Sequence, residues 1–263
     1  KRIKLSEAVV NTLKRGENLI AGFCHNTGGN GLFDVGLFVE KDDERLFGQT
    51  ATQLSVDVQA MQTHYEFACG DVRLKVSFTA PLFLDNLYLI SRPVNYLTYE
   101  VTSPQPRQVE LYIEAGPHWA LNLPSQASTA ETGQQDHLVF ARTGSVSQQI
   151  LGKRGDHINI DWGYFYLAGD RTNGRTAAGP AFSLRKAFTD TGVLPASDTV
   201  HGADKVAGHR HIAYSTQFSV NGTHAGRVLI GYDDIYAIQY FGQNLRGYWN
   251  RDGKSSLPAE LVK

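Results

Sequence analysis

Apolar and polar residues alternate along much of this chain. Val72, Leu74, Val76 and Phe78 are separated by Arg73, Lys75, Ser77 and Thr79, the period of two expected of a strand with one buried face. Pro81 ends the run, because proline has no N–H to give a ladder. Leu97, Tyr99 and Val101 alternate with Tyr96, Thr98 and Glu100 in a second strand. Ser103, Pro104 and Pro106 predict a turn, and Val109, Leu111 and Ile113 a third strand. Upstream, Leu54, Val56 and Val58 alternate, Met61 to Phe67 forms the next strand, and Gly70-Asp71 turns back. Before these come a glycine- and asparagine-rich loop (25–31), a strand (32–40) and the charged turn of a hairpin (41–45). Near the N-terminus, Ser6 is placed as an N-cap, with Ala8, Val9 and Leu13 on one face and Gly16 as the stop of a short helix.

After Trp119 the chain turns polar, and 123–135 reads as a surface connection. Short strands resume at 138–141, 146–150 and 158–168. Residues 169–180 hold three glycines and a proline and predict an exposed loop, 181–188 fits a strand or a helix, and 189–207 reads as loop. His211–Val220 is a strand, Asn221-Gly222-Thr223 a turn, and Val228–Tyr232 its returning partner. Then the period changes. Ile235, Ile238, Phe241, Leu245 and Trp249 are three or four apart, which predicts a helix. About a dozen strands and one or two short helices make the expected class all-β, a large antiparallel β-sandwich. The organisation expected is a single sandwich domain over 1–263, with 1–30 peripheral and 235–263 leading towards a further domain.

Composition narrows the function classes. With 263 residues, a formal charge of −1 and 41% hydrophobic residues, a sizeable core is feasible. No Lys/Arg stripe appears, which disfavours a nucleic-acid partner. No apolar run approaches the ~20 residues of a membrane-spanning helix. Cys24 and Cys69 are too few for a disulfide framework and read as two buried thiols or one pair. The chain begins at Lys1 without a methionine, so export by a removed leader is left open.

Several residues carry candidate chemistry, each with a plainer role beside it. Asp233-Asp234 after a strand is a carboxylate pair suited to acid–base work if one raises the other's pKa, or else a helix cap. Asp161 and Trp162, with Gly163 and Tyr164, put an acid beside aromatics, as in sugar sites, or supply sandwich core. Arg92 can grip a carboxylate with both arms of its guanidinium, or make a structural pair with Asp85 or a carbonyl. His209 and His211 fall on one face but lack a third ligand, so no metal is expected. Trp249 and its tyrosine neighbours predict an apolar patch that faces another domain or covers an open sheet of this one. No Walker loop, dinucleotide fingerprint or Gly-x-Ser-x-Gly elbow is present, and no cofactor is expected.

The run VSFTAPLFLDNLYLISRPVNYLTYEV, followed by DWGYFYLA at 161–168 and Gly231-Tyr232-Asp233-Asp234, resembles the glutaminase A family of bacteria and fungi over roughly residues 40–250. The resemblance implies the N-terminal, non-catalytic β domain of an exported hydrolase, periplasmic or extracellular, packed on an (α/α)-toroid domain of the same polypeptide. It implies a supersandwich fold, and hydrolysis of glutamine to glutamate and ammonia by the whole protein. Two further readings stand beside it. One is a carbohydrate-binding module using the aromatics near Trp119 and Trp162. The other is the accessory domain of a two-domain glycoside hydrolase.

Overall fold

The computed structural model describes residues 5–16, 18, 19, 21–23, 25, 27–29, 46–156, 158–195 and 210–263. Two compact units divide the chain at residues 42 and 43. In the first, helix α1 spans Glu7–Val10, with the Ser6 hydroxyl accepting from the Val9 N–H. It ends at Asn11, well before Gly16. The expected strand over 32–40, the turn over 41–45, Cys24 and His209 lie outside the described residues.

The second unit is all-β, a large antiparallel sheet folded into a sandwich, with three short helices. Its strands are β1 (Thr52–Val58), β2 (Gln62–Cys69), β3 (Val72–Thr79), β4 (Val94–Ala115), β5 (Ser128–Gln135), β6 (Leu138–Ser145), β7 (Tyr164–Asp170), β8 (Gly174–Pro180) and β9 (Arg210–Asp233). The order is β1-β2-β3-β4-β9-β7-β6-β5, and β8 adds to the other end of β9. β4 and β9 are long enough to serve both layers. Their first and last parts meet at Leu97 opposite Val228, and their other parts at Ile113 opposite Tyr214. The ladder is broken between Ser103 and Arg107. There the two strands leave the larger layer and carry β8 across β5 and β6.

The core lies between the layers: Leu97, Tyr99, Val101, Leu167, Ile212, Phe218, Val220 and Val228 are buried together. A second cluster covers the opposite face of the larger layer. Trp249, with Leu257 and Leu261 of α4 (Leu257–Leu261), packs on Val94, Tyr166 and Leu229. Strand β7 is therefore covered on both faces and reads as a nearly continuous buried run.

Four expectations are corrected here. Pro104 and Pro106 interrupt the ladder without turning the chain, because proline's fixed φ suits an extended backbone. Asn221-Gly222-Thr223 likewise lies inside β9, with Gly222 at φ +82° in the irregularity, and the segments either side of it pair with β4 rather than with each other. The glycine-rich stretch after 169 is strand β8, not an exposed loop. Gly169 and Gly174 leave room for the Tyr214 ring, which any Cβ at either position would strike. The segment from Ile235 is no helix. It holds a hairpin of β10 (Ile238–Tyr240) and β11 (Gln243–Leu245), and Trp249 stands in a separate 3-10 turn at Tyr248–Asn250. Gly242 at the hairpin tip takes φ +78°, which favours the turn over a helix. Smaller differences remain: 128–135 is an edge strand, 146–150 and 158–163 lie outside any strand, and Cys69 is exposed rather than buried; 181–191, open between strand and helix, is helix α3 (Ala181–Thr191). Among the described residues no helix is long and apolar enough to cross a membrane.

Candidate functional site

Four of the six residues singled out from sequence meet at one end of the sandwich. Gly163 (φ +82°) precedes β7 and breaks the expected alternation of Asp161 to Tyr164. A side chain there would collide with the Asp233 carbonyl. This close approach brings the 161–163 segment against the end of β9. The Trp162 indole N–H donates to the Tyr236 carbonyl (3.3 Å), and the Tyr232 hydroxyl donates to the Trp162 carbonyl (2.7 Å). Trp162 is buried, as core rather than as a binding surface.

Asp161 is fully buried. Its Oδ2 accepts from Gln126 Nε2 (2.7 Å) and pairs with the Lys153 ammonium, while Oδ1 has no partner. Gln126 also accepts from the backbone N–H groups of Asn122 and Leu123 (2.7 and 2.8 Å). It thus ties the 117–126 connection to Asp161. Asp233 caps a turn rather than a helix, its Oδ1 accepting from the Ile235 N–H (2.9 Å). Ile235 itself is held at φ +62°, a strained position for a β-branched residue. Burial, then the charge of Asp233, raises the pKa of the Asp234 carboxyl. Burial and the three surrounding carboxylates also push the Tyr232 hydroxyl upward. Asp234 therefore holds a proton more readily than an ordinary aspartate, as the sequence pairing allows.

Arg92 and Trp249 belong elsewhere. Asn86 caps helix α2 (Leu87–Ser91) by accepting from the Leu89 N–H, and Arg92 follows the helix. Its Nη2 donates to the Glu260 carbonyl (2.5 Å), its Nη1 to the Tyr96 hydroxyl (3.3 Å), and its Nε lies 3.7 Å from the Glu260 carboxylate. Glu260 is fully buried and also receives Tyr88, Ser255 and Lys263. Burial opposes its ionisation, but these bonds outweigh burial and lower its pKa. Arg92 is thus a latch for α4. Its partners are a carbonyl and the carboxylate of Glu260, not Asp85.

A third cluster has little trace in the sequence. Glu114 on β4 accepts from Arg185 of α3 through Nε (2.9 Å) and Nη2 (2.8 Å), from Tyr112 (2.6 Å) and from His211 Nδ1 (2.5 Å). Burial works against the charge, yet the bonds from His211, Arg185 and Tyr112 bring the Glu114 pKa down to about 2. An ionised Glu114 fixes the His211 proton on Nδ1 and leaves Nε2 as the open nitrogen. Besides His211, which the sequence singles out, the one signal is the spacing of Tyr112 and Glu114 on a strand face. Next to this cluster Pro117–Ala120 forms a 3-10 turn carrying Trp119. Trp119 stacks on the buried Phe165 (centroids 5.6 Å apart, 20° between planes) and is 69% exposed. Among the described residues no three His, Cys, Asp or Glu side chains are placed to hold a metal.

The fold is similar to part of a putative kojibiose phosphorylase from human microbiome, at 6% identity over 65% of this chain and 17% of that one, TM-score 0.32. It is also similar to part of the heparan sulfate lyase HepC from Pedobacter heparinus, at 5% identity over 69% of this chain and 21% of that one, TM-score 0.35. This chain spans about a fifth of the length of either. No curated protein matches. Residues 61–263 match the family described as "Domain of unknown function (DUF5127)", which takes in every strand from β2 onward, and the chain belongs to that family.

Proposed function

We propose that this chain is the non-catalytic β domain of a larger carbohydrate-active hydrolase or lyase, docked on a catalytic domain of the same polypeptide. The observation that carries the reading is a contrast between its polar and apolar residues. Most of the charged and titratable residues that sequence offered as chemistry are engaged inside the fold: Asp161 with Lys153, Arg92 with Glu260, His211 with Glu114, and Asp233 as the cap of a turn. Large apolar side chains are the ones left open. The loop after β3 exposes Leu82 (51%), Phe83 (52%), Leu84 (78%) and Leu87 (60%). Beside it lies a cavity of about 380 Å³ whose lining includes Met61, Phe83 and Leu89 with the polar Gln62, Thr79 and Arg92. A crest of this kind marks a contact surface on a soluble protein.

The glutaminase activity implied by the motif gains no support from the family, whose description assigns none. The motif's own residues also have structural work: Pro81 follows the end of β3, Asn86 caps α2, and Arg92 and Tyr96 latch α4. The test is to assay the 263-residue chain and the complete gene product side by side. Release of reducing or unsaturated sugar from oligosaccharides and of ammonia from glutamine would be measured. Sugar chemistry by the complete product alone is expected. Turnover by the 263-residue chain would overturn the division of labour. Ammonia release without sugar chemistry would restore the glutaminase reading.

A further inference from the structure

We infer that Trp119 is a stacking platform for a neutral pyranose, and that the turn carrying it is a glycan-binding site. This rests on the carbohydrate-active reading above and supplies the site and ligand class that the reading leaves open. Three tryptophans are present; Trp162 and Trp249 are buried and Trp119 is 69% exposed. One face of its indole lies on Phe165, which is itself buried, so the ring is held flat from below with the other face open. Pro117 fixes the entry to the turn. A rigid aromatic plate loses little entropy on binding. Its negative face attracts the polarised C–H bonds on one side of a pyranose, by the quadrupole that attracts cations and ring edges.

The surroundings separate a sugar from a protein partner. The crest at 82–87 presents four large apolar side chains, Leu82, Phe83, Leu84 and Leu87, around Asp85 and Asn86, as suits a domain contact. The Trp119 turn is instead set among polar groups whose hydrogen-bonding capacity is only partly used. Asn122 has its Oδ1 engaged by the Asn159 N–H (2.9 Å), and its amide hydrogens have no partner among the described residues. His211 has Nδ1 on Glu114, leaving Nε2. His211 is brought to the turn by Gly116, where a Cβ would stand 3.1 Å from its ring. An aromatic plate with hydroxyl-binding groups beside it suits a sugar. The charges here, Glu114 against Arg185, are matched to one another, which favours an uncharged ligand.

The experiment uses the 263-residue chain with maltohexaose, cellohexaose and a heparin-derived hexasaccharide. Intrinsic fluorescence reads the site directly, because iodide reaches an exposed indole and not the two buried ones. One of the neutral hexasaccharides is expected to shift the emission and protect it from iodide. Trp119→Ala is expected to weaken binding at least about tenfold, a loss of ~1.4 kcal/mol. Trp119→Phe keeps a ring over Phe165 and should retain part of the affinity, which separates a binding loss from a folding loss. Asn122→Asp preserves the bond to Asn159 while removing the donors, and should cost a few-fold. The inference is overturned if neither neutral sugar binds at about 10 mM, if only the heparin fragment binds, or if binding survives in Trp119→Ala. Sugar turnover by the complete product alongside any of these results would leave the accessory-domain reading standing without this site.

Discussion

Gly163 shows how much one position can decide. Its φ of +82° and the collision that a Cβ would make with the Asp233 carbonyl leave no room for another residue. Gly163→Ala is expected to destabilise by about 2–4 kcal/mol in urea unfolding, combining backbone strain with a forced shift of β9. Asp234 gives the opposite case. Its folded pKa is raised, so the ionised carboxylate costs stability above that pKa, and the cost fades as pH falls through it. Asp234→Asn should raise the thermal midpoint at neutral pH and confer no advantage near about pH 3, where an ordinary aspartate is also protonated. An equal gain at both pH values would mean that charge is not the cause. Trp249 was expected either at a domain contact or over an open sheet of its own domain. It takes the second place, buried against this chain's sheet, while Ile238, Tyr240 and Phe241 of the neighbouring hairpin stand exposed, and Trp249→Ala should cost about 3–5 kcal/mol in the 263-residue chain alone.

Among the elements, helix α3 depends on the Glu114 cluster. The Glu114 pKa is lowered to about 2 from a usual 4.5, so its stabilisation is complete above the usual value and is lost as pH falls towards the lowered one. The difference is on the order of 3 kcal/mol. Urea unfolding of the wild type and of Glu114→Gln should therefore converge between pH 4.5 and 2. Parallel curves would refute the assignment.

The same elements mark what was legible in the sequence. β2, β3 and the first half of β4 were readable because half-burial writes itself as alternation. β8 was not: its glycines and alanines look like loop until Tyr214 is seen lying over Gly169 and Gly174. The continuity of β4 and β9 through Pro104, Pro106 and Gly222 was hidden for a related reason. Turn chemistry also serves a broken ladder, and only the facing strand tells the two apart. The stripe from Ile235 to Trp249 has helical spacing by coincidence of a hairpin and a 3-10 turn. Asp161, Trp162, Asp233 and Asp234 were found as separate motifs. Their meeting depends on Gly163, and Lys153, Gln126 and Glu260 had no local pattern to announce them.

For the whole molecule, the exposed crest makes a prediction that core mutations do not. Leu84→Glu should leave the 263-residue chain within about 0.5 kcal/mol of wild type, because that side chain already stands in water. In the complete gene product the same change should lower the thermal midpoint or speed proteolysis between domains. No change in the longer protein would remove the crest as the contact.

The long β4–β9 ladder also fixes when the domain can form. Ala115 ends one strand and Arg210 begins the other, so roughly a hundred residues are synthesised between them, about 5–20 s of translation at ~5–20 residues per second. Throughout that interval the nascent β4 has β3 on one side and nothing on the other. The pairing that closes the sandwich is thus among the most distant in sequence, and loop closure makes it slow. Until it forms, an open strand edge bearing Leu97, Tyr99 and Val101 is available to neighbouring chains. Production of this domain should be limited by aggregation during synthesis more than by the stability of the finished fold, and slowing translation between residues 115 and 210 should worsen it.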